Sequence, residues 1–156
     1  MSLDIKLPEA PATERLGAAL AAGIAPGRVI HLRGELGAGK TTLARGLLHK
    51  LGYAGRIKSP TYTVVEPYTL SSLNLYHFDF YRFTGQAEWV NSGFREYFDD
   101  RAACLVEWPE RAGALLPTPD LEVRLEMAGE ARRALISACT SAGQAWLSSL
   151  PSFSQG

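Results

Sequence analysis

The sequence predicts an α/β fold: a single domain with a mixed, mostly parallel central sheet, flanked by helices and finished by a C-terminal β-hairpin. Three observations predict it. An apolar strand, Val29–Arg33, runs through a glycine-rich turn into an amphipathic helix, the opening of a strand–helix crossover. Ala103-Cys104-Leu105-Val106 is apolar at every position, the mark of a strand covered on both faces, as parallel strands are. Near the C-terminus, two stretches meet across Ala128-Gly129-Glu130, which reads as a hairpin turn.

The elements follow in chain order. Thr13 is placed to cap a first helix over 14–22, where Leu16 and Leu20 share a face and Gly23 and Pro26-Gly27 stop it. After Val29–Arg33, Leu43, Leu47 and Leu51 form the stripe of a second helix beginning near Lys40, with Gly52 as its stop. Residues 61–70 and 73–80 are rich in β-branched and aromatic side chains, and Ser71-Ser72 between them suggests a hairpin. Residues 86–98 read as helical with a break near Gly93. Leu121, Val123, Leu125 and Met127 alternate with mostly charged residues, a strand with one wet face. A final strand over 133–139 and a short helix over 143–150 complete the domain, which is expected to span 1–156 with a core of about 13–150 and a loose tail at 151–156.

Composition narrows the function classes. The 156 residues suffice for one buried core. Lys+Arg and Asp+Glu are both 16, so there is no general basic field for nucleic acid. The two cysteines, Cys104 and Cys139, lie in apolar runs and are expected as buried thiols, without the companions of a zinc site. No apolar run reaches membrane-spanning length and the N-terminus lacks a signal-peptide pattern, so the cytoplasm is the expected compartment.

Gly34-Glu35-Leu36-Gly37-Ala38-Gly39-Lys40-Thr41 matches the phosphate-binding loop G-x-x-x-x-G-K-[ST] in full, with a strand before it and a helix after it. Glycines permit positive φ and close backbone approach, so several N–H groups turn inward as an anion nest. The helix N-terminus adds its positive end. Lys40 is the residue type that reaches the β- and γ-phosphates, and Thr41 offers a hydroxyl to Mg2+; Thr42 is a further phosphate contact. A chance match on a glycine-rich turn has odds on the order of one in a hundred. No Asn-Lys-x-Asp segment for reading guanine is present, so ATP is preferred over GTP. Such a loop needs an acid at a strand end. Glu107 follows the buried strand where that acid belongs, and Asp79 ends another strand; either can ligate Mg2+ while the other acts through water.

Together these segments resemble one family, TsaE. The resemblance rests on the loop extended through Thr42-Leu43, on Ser59-Pro60-Thr61-Tyr62-Thr63, Tyr76-His77-Phe78-Asp79-Phe80-Tyr81-Arg82, Glu96-Tyr97-Phe98, Leu105-Val106-Glu107-Trp108-Pro109-Glu110 and Leu116-Pro117, and it covers roughly Thr13 to Ser141. It implies a P-loop ATPase that works with TsaB and TsaD in tRNA threonylcarbamoyladenosine synthesis and meets tRNA only indirectly. It also implies that Lys40 and Thr41 hold phosphate and Mg2+, that Glu107 is the Walker B-like acid and that Asp79 is a second essential carboxylate. Phe80 and Phe94-Arg95 depart from the usual family residues without touching a chemical group.

Further residues carry paired readings. Thr61 is either a switch threonine for the γ-phosphate or part of a strand-start turn set by Pro60. His77 shares strand parity with Asp79, which makes it either a catalytic partner of that carboxylate or, by about three to one, a packed, hydrogen-bonded histidine. Trp108 either packs beside Glu107 or borders the nucleotide. Arg132 is either a nucleotide contact or a solvated strand-end charge. Two other functions compete with ATP hydrolysis: a small-molecule kinase, for which Arg82, Arg95, Arg101 and Arg111 are too scattered to form a lid, and a nucleotide switch that does not hydrolyse.

Overall fold

The computed structural model of the chain describes residues 2–151, and the expected tail lies, from residue 152 onward, outside the described residues. Seven strands form one sheet: β1 (Ser2–Leu7), β2 (Val29–Arg33), β3 (Val65–Thr69), β4 (Asn74–Asp79), β5 (Ala102–Glu107), β6 (Leu121–Ala128) and β7 (Ala131–Ala138), in the order β1-β7-β6-β2-β5-β4-β3. The central strands β6, β2, β5 and β4 are mutually parallel. The flanking pairs β1/β7, β6/β7 and β3/β4 are antiparallel, so five of seven strands point one way.

The helices are α1 (Ala10–Leu20), α2 (Lys40–Lys50), α3 (Gln86–Asn91) and α4 (Ser141–Ser148). Strand alternation splits the core in two. Ile30, Leu32, Leu75, Leu105 and Val123 meet Leu16 and Leu20 of α1 and Leu43 and Leu47 of α2 in one buried cluster. Val29, Phe78, Cys104 and Val106 meet Trp89 and Phe94 in the other, an aromatic cluster. Burying a leucine or phenylalanine side chain contributes roughly 1.5–3 kcal/mol, so these two layers hold the sheet between them. α1 and α2 touch backbone to backbone: a Cβ added to Gly17 would stand 2.0 Å from the Leu43 carbonyl oxygen, and one added to Gly46 would stand 2.1 Å from that of Glu14. The close crossing presses α2, and the loop in front of it, onto the sheet.

Several expectations need correction. The segment before Thr13 carries a strand, β1, paired with β7 through Ser2↔Ser137 to Leu7↔Arg132 and tied at its start by Asp4 to Arg133. The alternation Leu3-Asp4-Ile5-Lys6-Leu7 was its signal. Thr13 is not a cap; it is buried inside α1, whose N-cap is Glu9. The strand expected from residue 61 begins at Val65, because Val64 N–H bonds back to Pro60 C=O at 2.8 Å and Val64 takes φ +69°. α4 starts at Ser141 rather than Gly143. Its cap is Thr140, whose hydroxyl accepts the Gly143 N–H at 3.0 Å and donates to Asp120 at 2.7 Å. Cys104 is buried as expected, but Cys139 is exposed: β7 turns Ala134 and Ile136 inward, so period-two alternation turns Cys139 out. The hairpin near Ser71-Ser72, the break at Gly93 and the turn at Gly129 stand where the sequence places them.

Candidate functional site

The glycine-rich loop leaves β2 at its C-terminal end, the side of a parallel sheet where ligands bind. Gly34 has φ +150°, and a Cβ there would lie 2.6 Å from the Leu125 carbonyl oxygen, so the loop runs too close to β6 for any side chain. Gly39, at φ +107° in the left-handed region, is the N-cap of α2, and no side chain among the described residues caps that helix. The first-turn amides of α2 are therefore left for a ligand, with the helix dipole behind them.

Lys40 opens α2 and is 5% exposed. Its Nζ donates to the Gly34 carbonyl at 2.5 Å and lies 3.6 Å from the centre of the Trp108 ring. Burial lowers the Lys40 pKa, while Glu107 and Asp79 pull it back up. Trp108 takes φ +54°, a conformation uncommon for a bulky residue, and this bend directly after β5 folds the ring back over the lysine. Tyr81 and Arg111 flank the same ring.

The two carboxylates arrive on neighbouring strands in register, Asp79 opposite Glu107, and both are buried. Asp79 Oδ1 accepts the Tyr81 N–H at 2.8 Å, and Oδ2 accepts the Thr61 hydroxyl at 3.4 Å. Burial raises the Asp79 pKa; the Tyr81 N–H opposes this, and the Glu107 charge adds to the rise. Glu107 Oε2 lies 2.6 Å from His77 Nε2 and 3.5 Å from Thr41 Oγ1.

These groups surround one open cavity of about 310 Å3. Leu36, Gly37, Gly39, Lys40, Thr41 and Thr42 form one wall, and Thr61, Asp79, Glu107 and Trp108 the other. Ser59 lines it as well, bonded to Thr61 at 2.8 Å. Gly34, Glu35 and Ala38 stand apart from that lining. Gly34 presents its carbonyl to Lys40, the Ala38 side chain is buried in the core, and Glu35 lines a neighbouring groove with Glu110 and Arg124. Arg132 approaches from β7 and donates to the Gly37 carbonyl at 3.1 Å. It borders a smaller cavity of about 150 Å3 behind the loop, with Leu7, Thr13, Gly39 and Thr42. A larger groove of about 510 Å3 lies at the opposite ends of β4 and β5, and its charged Asp99 and Arg101 are already paired with each other.

Parity put His77 and Asp79 on one face, but the bond of His77 crosses to the next strand and lands on Glu107. A single sequence carries no register between strands, so that partner was not legible. Leu7 and Thr13 were missed because long-range packing brings them to the loop: Leu7 pairs opposite Arg132 of β7, and Thr13 of α1 lies 3.5 Å from where a Cβ on Gly39 would stand.

Among the described residues, no three His, Cys, Asp or Glu side chains group as a metal cage. A hydroxyl and two carboxylates are a donor set that suits Mg2+, which keeps several waters and takes its remaining ligands from phosphate oxygens.

Comparison with known proteins agrees over most of the chain. The family model for "Threonylcarbamoyl adenosine biosynthesis protein TsaE" matches residues 7–135. A tRNA threonylcarbamoyladenosine biosynthesis protein TsaE from Haemophilus influenzae is 42% identical over 116 residues, covering 74% of this chain and 73% of the relative. Its counterpart from Bacillus subtilis is 39% identical over 121 residues, covering 78% and 75%. The crystal structure of Bacillus subtilis YdiB superposes with a TM-score of 0.81 at 31% identity, covering 95% of this chain and 93% of that one.

Proposed function

The chain belongs to the TsaE family, and on that premise we propose that it is a magnesium-dependent ATPase that supports tRNA threonylcarbamoyladenosine biosynthesis together with TsaB and TsaD. One observation carries the ATPase reading. An uncapped helix N-terminus with its buried lysine faces two buried carboxylates across an open cavity. A cation and a row of amides suit polyphosphate, and the paired acids suit the cation that accompanies it.

In this reading the α2 amides, Thr42 and the Lys40 ammonium hold the β- and γ-phosphates. Phosphate replaces the Gly34 carbonyl and the Trp108 ring as the partner of Lys40, and supplies the counter-charge that burial withholds. Thr41 and Glu107 would hold Mg2+, with Asp79 reaching it through water, and the bound ion would neutralise phosphate charge. Glu107 stands on the Thr41 side of the site and acts as the metal acid. Asp79, whose pKa is raised by burial, orients the attacking water and takes its proton as the bond from the γ-phosphorus to the β-phosphate oxygen breaks and ADP leaves. Thr61, bonded to Asp79, is placed to sense the γ-phosphate. The small cavity beside Arg132, Thr13 and Leu7 adjoins the loop and takes the nucleoside.

Family membership supports the partnership with TsaB and TsaD, the indirect relation to tRNA and a cytoplasmic location for a single working domain. No helix among the described residues is long and apolar enough to cross a membrane. ATP turnover measured alone and with added TsaB and TsaD tests the proposal. Slow hydrolysis that accelerates with both partners is expected; equal rates, or none under either condition, contradict it.

A further inference from the structure

We infer that His77 is a positioning residue that holds the Glu107 carboxylate where it can serve magnesium. The inference rests on the magnesium–ATP reading above. His77 is fully buried and lies on β4, with Leu75 and Asp79 on the side of the sheet that faces α2. Its Nε2 is 2.6 Å from Glu107 Oε2. Its Nδ1 is buried and has no hydrogen-bond partner among the described residues.

The orphan nitrogen selects the tautomer. A buried N–H without an acceptor costs about 1–3 kcal/mol. Of the two neutral tautomers, the one with its hydrogen on Nε2 is the one this setting satisfies, since a carboxylate oxygen accepts it and Nδ1 keeps only its lone pair. The bond occupies Oε2, the same oxygen that the Thr41 hydroxyl approaches at 3.5 Å. Glu107 Oε1 makes no hydrogen bond to the described residues, and Glu107 lines the cavity. A glutamate has three side-chain torsions to fix before it can hold a cation or its waters, and the imidazole fixes them in advance.

A packing role alone does not account for this residue. Neighbouring inward positions on the same faces are Leu75, Ala103 and Leu105, all fully buried. An aliphatic side chain would satisfy that environment without leaving a nitrogen unpaired. Outer partners that orient metal ligands typically contribute 10–100-fold in metal affinity.

The test measures ADP binding by titration calorimetry over a magnesium series, with thermal unfolding alongside. The variants are His77→Leu, His77→Gln, Glu107→Gln and the His77→Leu/Glu107→Gln pair. His77→Leu should raise the magnesium concentration for half-effect about tenfold and leave metal-free ADP affinity unchanged. His77→Gln, whose amide N–H reaches toward the Nε2 position, should keep most of the wild-type magnesium response. With Glu107 already replaced, His77→Leu should shift the magnesium response no further, because the carboxylate that the histidine positions is gone. If His77→Leu does not fold, His77→Asn, too short to reach Glu107, takes its place.

An unchanged magnesium response in the leucine or asparagine variant would overturn the inference. So would an equal shift in the Glu107→Gln background, or a loss of metal-free binding that glutamine fails to restore. Wild-type binding with no magnesium dependence would overturn the magnesium reading itself, and this inference with it.

Discussion

Replacing Gly46 by alanine sets two effects of opposite sign against each other. Gly46 lies inside α2, where alanine is favoured over glycine by about 1 kcal/mol on propensity alone. The new methyl, however, would stand 2.1 Å from the Glu14 carbonyl oxygen and 2.8 Å from two other Glu14 backbone atoms. Carbon and oxygen rest more than 3 Å apart, so the helices must separate by about 1 Å, and backbone atoms cannot swing aside as a side-chain tip would. Separation loosens the seam in which Leu16 and Leu20 meet Leu43 and Leu47. Overpacking of this kind costs about 1–3 kcal/mol, and a backbone obstacle belongs at the upper end. The net expectation is a loss of about 2 kcal/mol, since the clash outweighs the propensity gain. With a urea slope of about 1–3 kcal/mol per molar, the unfolding midpoint should fall by about 1 M. The same displacement moves Lys40 and Thr41, so ATP affinity should fall as well. A midpoint at or above that of the wild type, with ATP affinity unchanged, would refute the close-crossing account.

Two further outcomes follow from buried groups. Asp79→Asn should raise the thermal midpoint of the nucleotide-free, magnesium-free protein at neutral pH, because burial and the facing Glu107 make the charged form costly. The folded-state pKa of Asp79 is raised, so its protonated form is the one the fold prefers, and wild-type stability falls as pH rises from the usual carboxylate range through that pKa. The advantage of the asparagine variant should therefore vanish toward acid pH, and a wild type at least as stable at neutral pH would contradict this. A thiol reagent should label Cys139 in the native protein but reach Cys104 only on unfolding. Burial pushes the Cys104 thiol up to about 12 and closes access to it, and equal native labelling of both would contradict the described packing.

What the sequence made legible was local. The loop from Gly34 to Thr42 announces itself because its glycines, lysine and threonines act within a few residues of one another. α2 shows by its leucine stripe and β5 by its unbroken apolar run. Register between distant strands was not legible. β1 reads as a weak alternation until β7 provides its partner, and the bond from His77 to Glu107 exists only because β4 and β5 run side by side. Thr13 looked like a cap because its residue type favours one, but the helix had already begun at Ala10 with Pro11 in its first turn. The left-handed bend at Trp108 had no signal either. It departs from what a bulky residue prefers, and it brings the ring over Lys40 at the mouth of the phosphate loop.

The account stands on Lys40 and the glycine loop receiving the phosphates of ATP while magnesium meets the carboxylates. Calorimetric titration of ATP into the wild type and into Lys40→Ala, each with and without magnesium, addresses this directly. The wild type should bind in both conditions and more tightly with the metal, and the alanine variant should lose most of its affinity in both while remaining folded. Equal affinity in the two proteins, or no binding by the wild type, would contradict it.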